Sequence, residues 1–153
     1  MTTSDDSASR AERDGTVAFL LLRLFFAQFW VLQFVGKLTD ADSRVVAWSN
    51  LALWSKNTTE WFVKLTVLPG WFVAPYTSVV PYCELAIGVL LAIGLATRGT
   101  LIFSGLLLIT LDAGMMLQLK HEVVGTNTIY LLAILLAVHL EKYNRWSVDS
   151  LRR

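Results

Sequence analysis

Two acidic residues, Glu84 and Asp112, lie inside apolar stretches that are long enough to cross a membrane. Each is fourteen positions from Arg98. If Arg98 marks a turn between two antiparallel helices, both carboxyl groups lie at one depth, about 21 Å from that turn. A carboxylate at the centre of a span costs about 2.5–3.5 kcal/mol on insertion scales. Two at one level indicate either a polar site able to move protons or a pair of protonated acids hydrogen-bonded between helices.

Further polar side chains fall at or just beyond this level when the other apolar stretches are placed on the same depth scale. They are Gln28, Gln33, Lys37, His121, Asn127 and Tyr130. Because buried polar groups in a membrane need partners, we expect this cluster to face the interior of a helix bundle. Arg23 lies nearer the opposite membrane surface, where its stem could reach the interface or its head could turn inward to pair with an acid.

Several classes of function have no support in the sequence. A net charge of +1 gives no sign of nucleic-acid binding. Cys83 is the single cysteine, so the chain has neither a CxxC redox pair nor a thiolate metal cluster. No HxxxH or ExxH spacing, catalytic triad order, phosphate-binding loop or dinucleotide fingerprint occurs. We therefore assign no metal-binding residues, although Glu84, Asp112 and His121 are of types that can bind a metal ion.

The composition predicts an all-α integral membrane protein. The chain has 153 residues, of which 55% are hydrophobic, and its mean hydropathy is +0.55. Four apolar segments are each long enough to cross the hydrocarbon core: 16–36, 76–96, 100–119 and 124–141. The links between the last three are short, which makes those helices antiparallel neighbours. The prediction is a four-helix transmembrane bundle over 16–144, with a disordered polar tail at 1–15 and a C-terminal tail at 145–153.

The long loop at 37–75 contains four of the six tryptophans. Its apolar spacing from Asp42 onward, and again over 59–67, predicts one or two amphipathic helices on the outer surface of the bundle. The tails and the Arg98 turn carry seven Lys and Arg residues, against five on the other side. This bias predicts that both termini are cytoplasmic.

The chain resembles the DoxX/DoxD family of small membrane proteins. The stretch at 84–98 has the pattern E-L-x-x-G-x-x-L-x-x-G-L-x-T-R that is typical of this family. Leu-Arg-Leu at 22–24, Lys-Leu at 37–38 and Trp-Ser-Val-Asp at 146–149 are similar to its other motifs. Arg23, Lys37, Glu84, Arg98 and Asn127 match family positions.

The resemblance implies a four-helix protein of the bacterial cytoplasmic membrane, tied to redox chemistry at the quinone pool. Our first hypothesis is a quinone-reactive oxidoreductase or its membrane subunit, with thiosulfate or another sulfur or thiol compound as donor. In it, Glu84 and Asp112 handle protons, while Arg23, Gln33, Lys37, His121, Asn127 and Tyr130 bind substrate or quinone. The alternative is a non-enzymatic anchor for a redox partner, or a protein that handles a small solute or metal. Partners beyond the bilayer would be a redox protein or further copies of the chain.

Overall fold

The computed structural model describes residues 3–39 and 44–152, with side chains from Arg10 to Leu151 within those ranges. The described residues form five α-helices, two short 3-10 turns and one isolated β-bridge, between Thr39 and Val46. The helices are α1 (Thr3–Leu38), α2 (Ser49–Leu65), α3 (Gly70–Ile93), α4 (Thr97–Leu117) and α5 (His121–Leu140). The 3-10 turns are Glu141–Tyr143 and Val148–Arg152.

Four of these helices, α1, α3, α4 and α5, are long and apolar enough to cross a membrane. The outer faces of these helices carry large apolar side chains that are more than 60% exposed, such as Leu21, Ile129 and Leu132. In water so much exposed apolar surface would be costly, but in a bilayer it contacts lipid chains. The all-α class and the four apolar spans are therefore confirmed, and the protein is a multi-pass membrane protein in contact with the bilayer.

The predicted boundaries differ most from the structure at the starts of α1 and α3. Helix α1 begins at Thr3, so it continues through most of the segment predicted as a disordered tail, and Glu12 pairs there with Arg145. Helix α3 begins at Gly70, six residues before the predicted start of that span. Pro69 stands just before its first turn, where proline is tolerated, whereas Pro75 and Pro81 lie inside the helix and each removes one backbone N–H from its hydrogen bonds.

The loop between the first two spans contains one helix within the described residues. Helix α2 runs from Ser49 to Leu65 and includes most of the segment at 59–67 that could have formed a second helix. Asp42, the predicted start of the helical pattern, lies outside the described residues. Ser55 and Thr59 bond to the hydroxyl of Thr77 at 2.9 and 2.8 Å, which fixes α2 against α3.

Helices α1 and α3 are closely packed at Gly88. A Cβ atom there would lie 2.7 Å from Cγ2 of Val31, 3.0 Å from the Val31 nitrogen and 3.1 Å from the Ala27 oxygen. Two of these atoms belong to the backbone, so neither can move aside without shifting α1. Gly88 therefore sets the spacing of the two helices that carry the polar site.

We expect Gly88→Ala to lower the free energy of unfolding by about 1–3 kcal/mol, because overpacking forces α1 and α3 apart. Thermal unfolding in detergent measures this change. Gly99→Ala is the matched control, since a Cβ atom at Gly99 meets nothing within 4 Å. The control should be neutral or gain up to about 1 kcal/mol from its better helix propensity. Equal stability of the two variants would contradict the close packing at Gly88.

The end of the bundle near the α3–α4 turn, here called the terminal end, is fixed by the C-terminal segment. Gly94 ends α3 with φ +70° and accepts a hydrogen bond from the Asp149 backbone at 3.1 Å. The Asp149 carboxylate accepts hydrogen bonds from the backbone N–H groups of Ala96 and Thr97 at 2.8 and 2.7 Å. The Asp149 side chain therefore satisfies free N–H groups at the start of α4, as the side chain of an N-cap residue does. The segments 84–98 and 146–149 therefore meet in the fold.

Candidate functional site

A deeply buried ion pair within the spans joins Lys37 and Glu84. Lys37 lies in the last turn of α1, and Glu84 lies on the buried face of α3. The Lys37 Nζ donates to both carboxylate oxygens, at 2.7 and 2.6 Å. Side-chain exposure is 11% for Lys37 and 2% for Glu84. Each charge compensates the other, which is the condition under which ionised groups persist in such a setting.

Two further groups hold the Lys37 ammonium in place. The backbone carbonyl of Gln33, one turn earlier in α1, accepts a hydrogen bond from it at 3.3 Å. The Trp54 ring of α2 lies with its centroid 4.9 Å from Nζ, within the range of a cation–π contact. Helix α2 therefore covers the ion pair from outside, and any movement of Trp54 would change the environment of Lys37.

The ion pair forms part of the wall of a cavity of about 430 Å³, here called the polar cavity. Four helical spans and Trp54 enclose it. Its polar lining residues are Gln33, Lys37, Glu84 and Asn127, and its apolar ones are Phe29, Trp30, Val80, Leu108, Leu111, Met115 and Val123, with Gly36. A cavity of this size with a few convergent polar groups in an apolar wall is typical of a small-molecule site.

Asp112 is joined to the polar cavity through Asn127. The Asn127 Nδ2 donates to the Asp112 Oδ1 at 2.6 Å, between α4 and α5. The structure thus pairs Asp112 with Asn127 and Glu84 with Lys37. Both Asn127 and Lys37 line the polar cavity. The two acids therefore belong to neighbouring pairs, whereas the sequence suggested that they share one site directly.

Three predicted residues do not line the polar cavity. Tyr130 packs behind it, with its ring centroid 4.9 Å from that of Phe29. His121 is exposed at the first position of α5 and is not a lining residue. Gln28 is exposed on the outside of α1, so the prediction that it faces the bundle interior is wrong. The depth scale gives the height of a residue in the membrane but not the side of the helix on which its side chain lies. The prediction for Gln28 failed for that reason.

Arg23 lies at the terminal end and not with the polar cavity. Its side chain is buried, and Nη1 donates to the Asn144 Oδ1 at 3.2 Å. Asn144 in turn donates to the Thr97 hydroxyl at 3.2 Å. The guanidinium also packs against Gly94, where a Cβ atom would collide with it. Arg23 is therefore separated from the other predicted binding residues, and its contacts hold the C-terminal segment to α1.

Sequence reasoning did not find two elements of the site. Trp54 was interpreted only as part of an interfacial loop, but it covers the ion pair. The buried Trp30 indole donates to the Ser104 hydroxyl at 2.7 Å and joins α1 to α4 beside the cavity. Lys37 is predicted from the sequence to bind substrate or quinone, whereas its partner in the structure is Glu84. The sequence feature that could have predicted the pair with Glu84 is the position of Lys37 at the outer end of the first span.

A second cavity of about 440 Å³, here called the apolar cavity, lies under α2 between α3 and α4. It shares four lining residues with the polar cavity: Trp54, Val80, Leu111 and Met115. Its wall is almost entirely carbon. The two cavities are therefore neighbours with a common wall of one aromatic and three aliphatic side chains.

The described side chains include no group of three or more His, Cys, Asp or Glu residues placed to hold a metal ion. The polar groups that line the polar cavity are an ammonium, a carboxylate and two amides. Such a set suits a ligand that accepts hydrogen bonds or exchanges protons with the protein.

The DoxX family model matches residues 18–118. This match includes α2, α3, α4 and the spanning part of α1, and it ends before Asn127 and the C-terminal segment. No curated protein and no solved structure matches the chain. Because the match extends over more than half of its length, the chain belongs to the DoxX family.

Proposed function

We propose that the protein is a quinone-reactive membrane oxidoreductase, or the membrane subunit of one, and that the polar cavity binds the quinone head group. The observation that carries this proposal is the Lys37–Glu84 pair, which places an ammonium and a carboxylate in the wall of an intramembrane cavity. Ionisable groups in membrane spans are costly and are usually retained for function. A quinone reaches such a site from the bilayer.

The donors of the polar cavity suit a ring with two carbonyl oxygens. Lys37 has three N–H donors, and the longest of its hydrogen bonds is the one to Gln33. That donor is the one a carbonyl oxygen would take. Asn127 uses one N–H on Asp112 and keeps a second. Phe29, Trp30 and Leu108 supply apolar surface for the ring. Donors from α1 and α5 would therefore bind opposite sides of the head group.

Reduction of a quinone to a quinol consumes two electrons and two protons. In our proposal, the Lys37 ammonium gives a proton to the carbonyl oxygen that it contacts, and Glu84 stabilises the ammonium before transfer. Asn127, which is held by its hydrogen bond to Asp112, would donate to the second oxygen, and the second proton would reach that oxygen from water.

The two electrons come from a sulfur donor in this proposal. Two thiosulfate or thiolate anions form one S–S bond and release two electrons, which balances one quinone reduced to quinol. The donor binds in a partner protein or at the outer face. A negatively charged donor would be attracted by the cations near that face, which include Lys120.

We further propose that the protein lies in a bacterial cytoplasmic membrane, with both termini in the cytoplasm and α2 outside. The Lys and Arg bias between the two sides supports this orientation. Reporter fusions at Leu151 and within 57–60 test it, and a cytoplasmic signal from 57–60 would reverse the orientation.

Asn127→Leu should weaken the binding of a tail-less benzoquinone by roughly tenfold, because one hydrogen-bond donor is lost from a buried site. Quenching of tryptophan fluorescence on titration measures the dissociation constant, since Trp30 and Trp54 both line the cavity. Size-exclusion elution confirms that the variant remains folded after losing its bond to Asp112.

Asn57→Leu makes the same chemical change on the exposed face of α2 and should bind quinone as the unmodified protein does. Equal affinity of the Asn127 and Asn57 variants would remove Asn127 from the site. If the unmodified protein binds no benzoquinone at millimolar concentration, the proposal fails and a non-enzymatic role is favoured.

A further inference from the structure

We infer that the apolar cavity holds the hydrocarbon tail of the same molecule whose head group occupies the polar cavity. This inference rests on the proposed function, and it specifies the ligand as a long-chain quinone carrying an isoprenoid tail. Its central observation is that the two cavities, of about 430 and 440 Å³, share one wall. One elongated amphiphile can extend across that wall if the shared side chains change rotamer.

The lining of the apolar cavity suits a hydrocarbon chain. Phe62, Phe72, Val73 and Leu117 present carbon surface, and Gly114 leaves room for the Phe62 ring, which lies 3.0 Å from the position of a Cβ atom. An apolar cavity of this kind does not hold water well and is filled best by a nonpolar group. The cavity is also within the size range of small-molecule sites.

Three of the four hydroxyl groups in this wall, those of Tyr76, Thr77 and Thr110, already bond to other hydroxyls or to the backbone. Tyr76 and Thr110 share a hydrogen bond of 2.8 Å, and the Thr110 hydroxyl also donates to the Leu107 carbonyl at 2.7 Å. Thr77 bonds to Ser55 and Thr59. A polar ligand would therefore compete with existing bonds, whereas an alkyl or isoprenoid chain would need none of them. This excludes a second polar substrate as the favoured occupant.

The shared residues determine how the two parts of the ligand would be joined. Trp54 comes from α2 and contacts Lys37 on one side, so its rotation would connect the cavities without moving a transmembrane helix. Met115 has a flexible, unbranched side chain that adapts to varied neighbours. Val80 and Leu111 complete the wall. The head group would lie beside Lys37 and the chain beneath α2.

The test compares benzoquinones with no tail, one isoprene unit and three isoprene units, bound to the protein in lipid nanodiscs. Ala113 lines the apolar cavity only, so Ala113→Leu fills part of it. Ala92→Leu makes the same change on an exposed position of α3 that lines neither cavity. Because the nanodisc is constant, partition of the tail into lipid cancels when the variants are compared.

We expect Ala113→Leu to weaken binding of the three-unit quinone by roughly fivefold to tenfold and to leave tail-less binding within about twofold of the unmodified protein. Ala92→Leu should change neither. If Ala113→Leu binds all three compounds as the unmodified protein does, the tail lies elsewhere and the inference is overturned while the proposed function stands. If the unmodified protein binds none of them, the proposed function fails and the inference with it.

A second measurement does not depend on a variant that folds. A three-unit quinone with a diazirine at the end of its tail is photolysed on the unmodified protein, and the adduct is located by mass spectrometry. We expect labelling at residues that line the apolar cavity alone and are shielded from lipid, such as Val73 and Phe62. Labelling confined to lipid-facing residues such as Leu132 and Ile129 would contradict the inference.

Discussion

Glu84→Gln should lower the free energy of unfolding by about 3 kcal/mol, because it leaves the Lys37 ammonium buried without a counter-charge. The substituted amide would keep a hydrogen-bond acceptor but not the negative charge. From the sequence alone the opposite is expected, since the change removes the cost of burying an ionisable group. The ion pair with Lys37 makes the substitution destabilising instead of stabilising. Unfolding in detergent and the yield of protein in the membrane both measure the effect.

Glu122→Gln is the control for this change. Glu122 is exposed in the first turn of α5, so its neutralisation should alter stability by no more than about 0.5 kcal/mol. An equally small effect at Glu84 would mean that the ammonium is solvated or neutral in the folded protein. The assignment of a buried ion pair to this site would then be wrong.

Lys37→Met combined with Glu84→Leu should restore stability to about that of the unmodified protein or above, because apolar residues of similar volume replace a buried ion pair at little or no cost. The same double variant should lose quinone reduction by at least about a hundredfold, as expected when the group that delivers the proton is removed. Quinol formation in membranes that contain the native partner, with thiosulfate or a thiol as donor, measures turnover.

Lys56→Met combined with Glu60→Leu provides the matched surface pair. These residues lie one turn apart on α2, and both are largely exposed. The Lys56 Nζ is 4.0 Å from the Glu60 Oε1. Their replacement should leave turnover within about twofold and stability within about 0.5 kcal/mol. Substantial turnover by the stable Lys37 and Glu84 double variant would reduce that pair to a structural role.

The spans could be predicted from the sequence because each is a long apolar run, and no alternative structure satisfies its backbone in a bilayer. Their ends were less predictable. Gly70 to Pro75 is compatible with either a loop or a helix, and α3 includes it. The terminal end was recognised only as two separate motifs, since nothing local relates Asp149 to the turn that it caps.

The depth of the site residues in the membrane could be predicted from the sequence, but the partner of each polar side chain could not. Glu84, Lys37, Gln33 and Asn127 were expected at one depth, and the structure places them around one cavity. Helix rotation decides which polar residues face inward, and it turns Gln28 outward. Trp54 lies at the site because α2 packs against α3. The spacing of apolar residues along the chain does not predict such a contact between distant segments.

The most direct measurement is the quinone content of the protein purified from its native membranes in mild detergent, determined by extraction and mass spectrometry. We expect a long-chain quinone at close to one molecule per chain in the unmodified protein. We also expect the stable Lys37→Met and Glu84→Leu double variant to lose most of that quinone. Equal quinone content in the two proteins, or none in the unmodified one, would contradict the claim that the polar cavity binds a quinone.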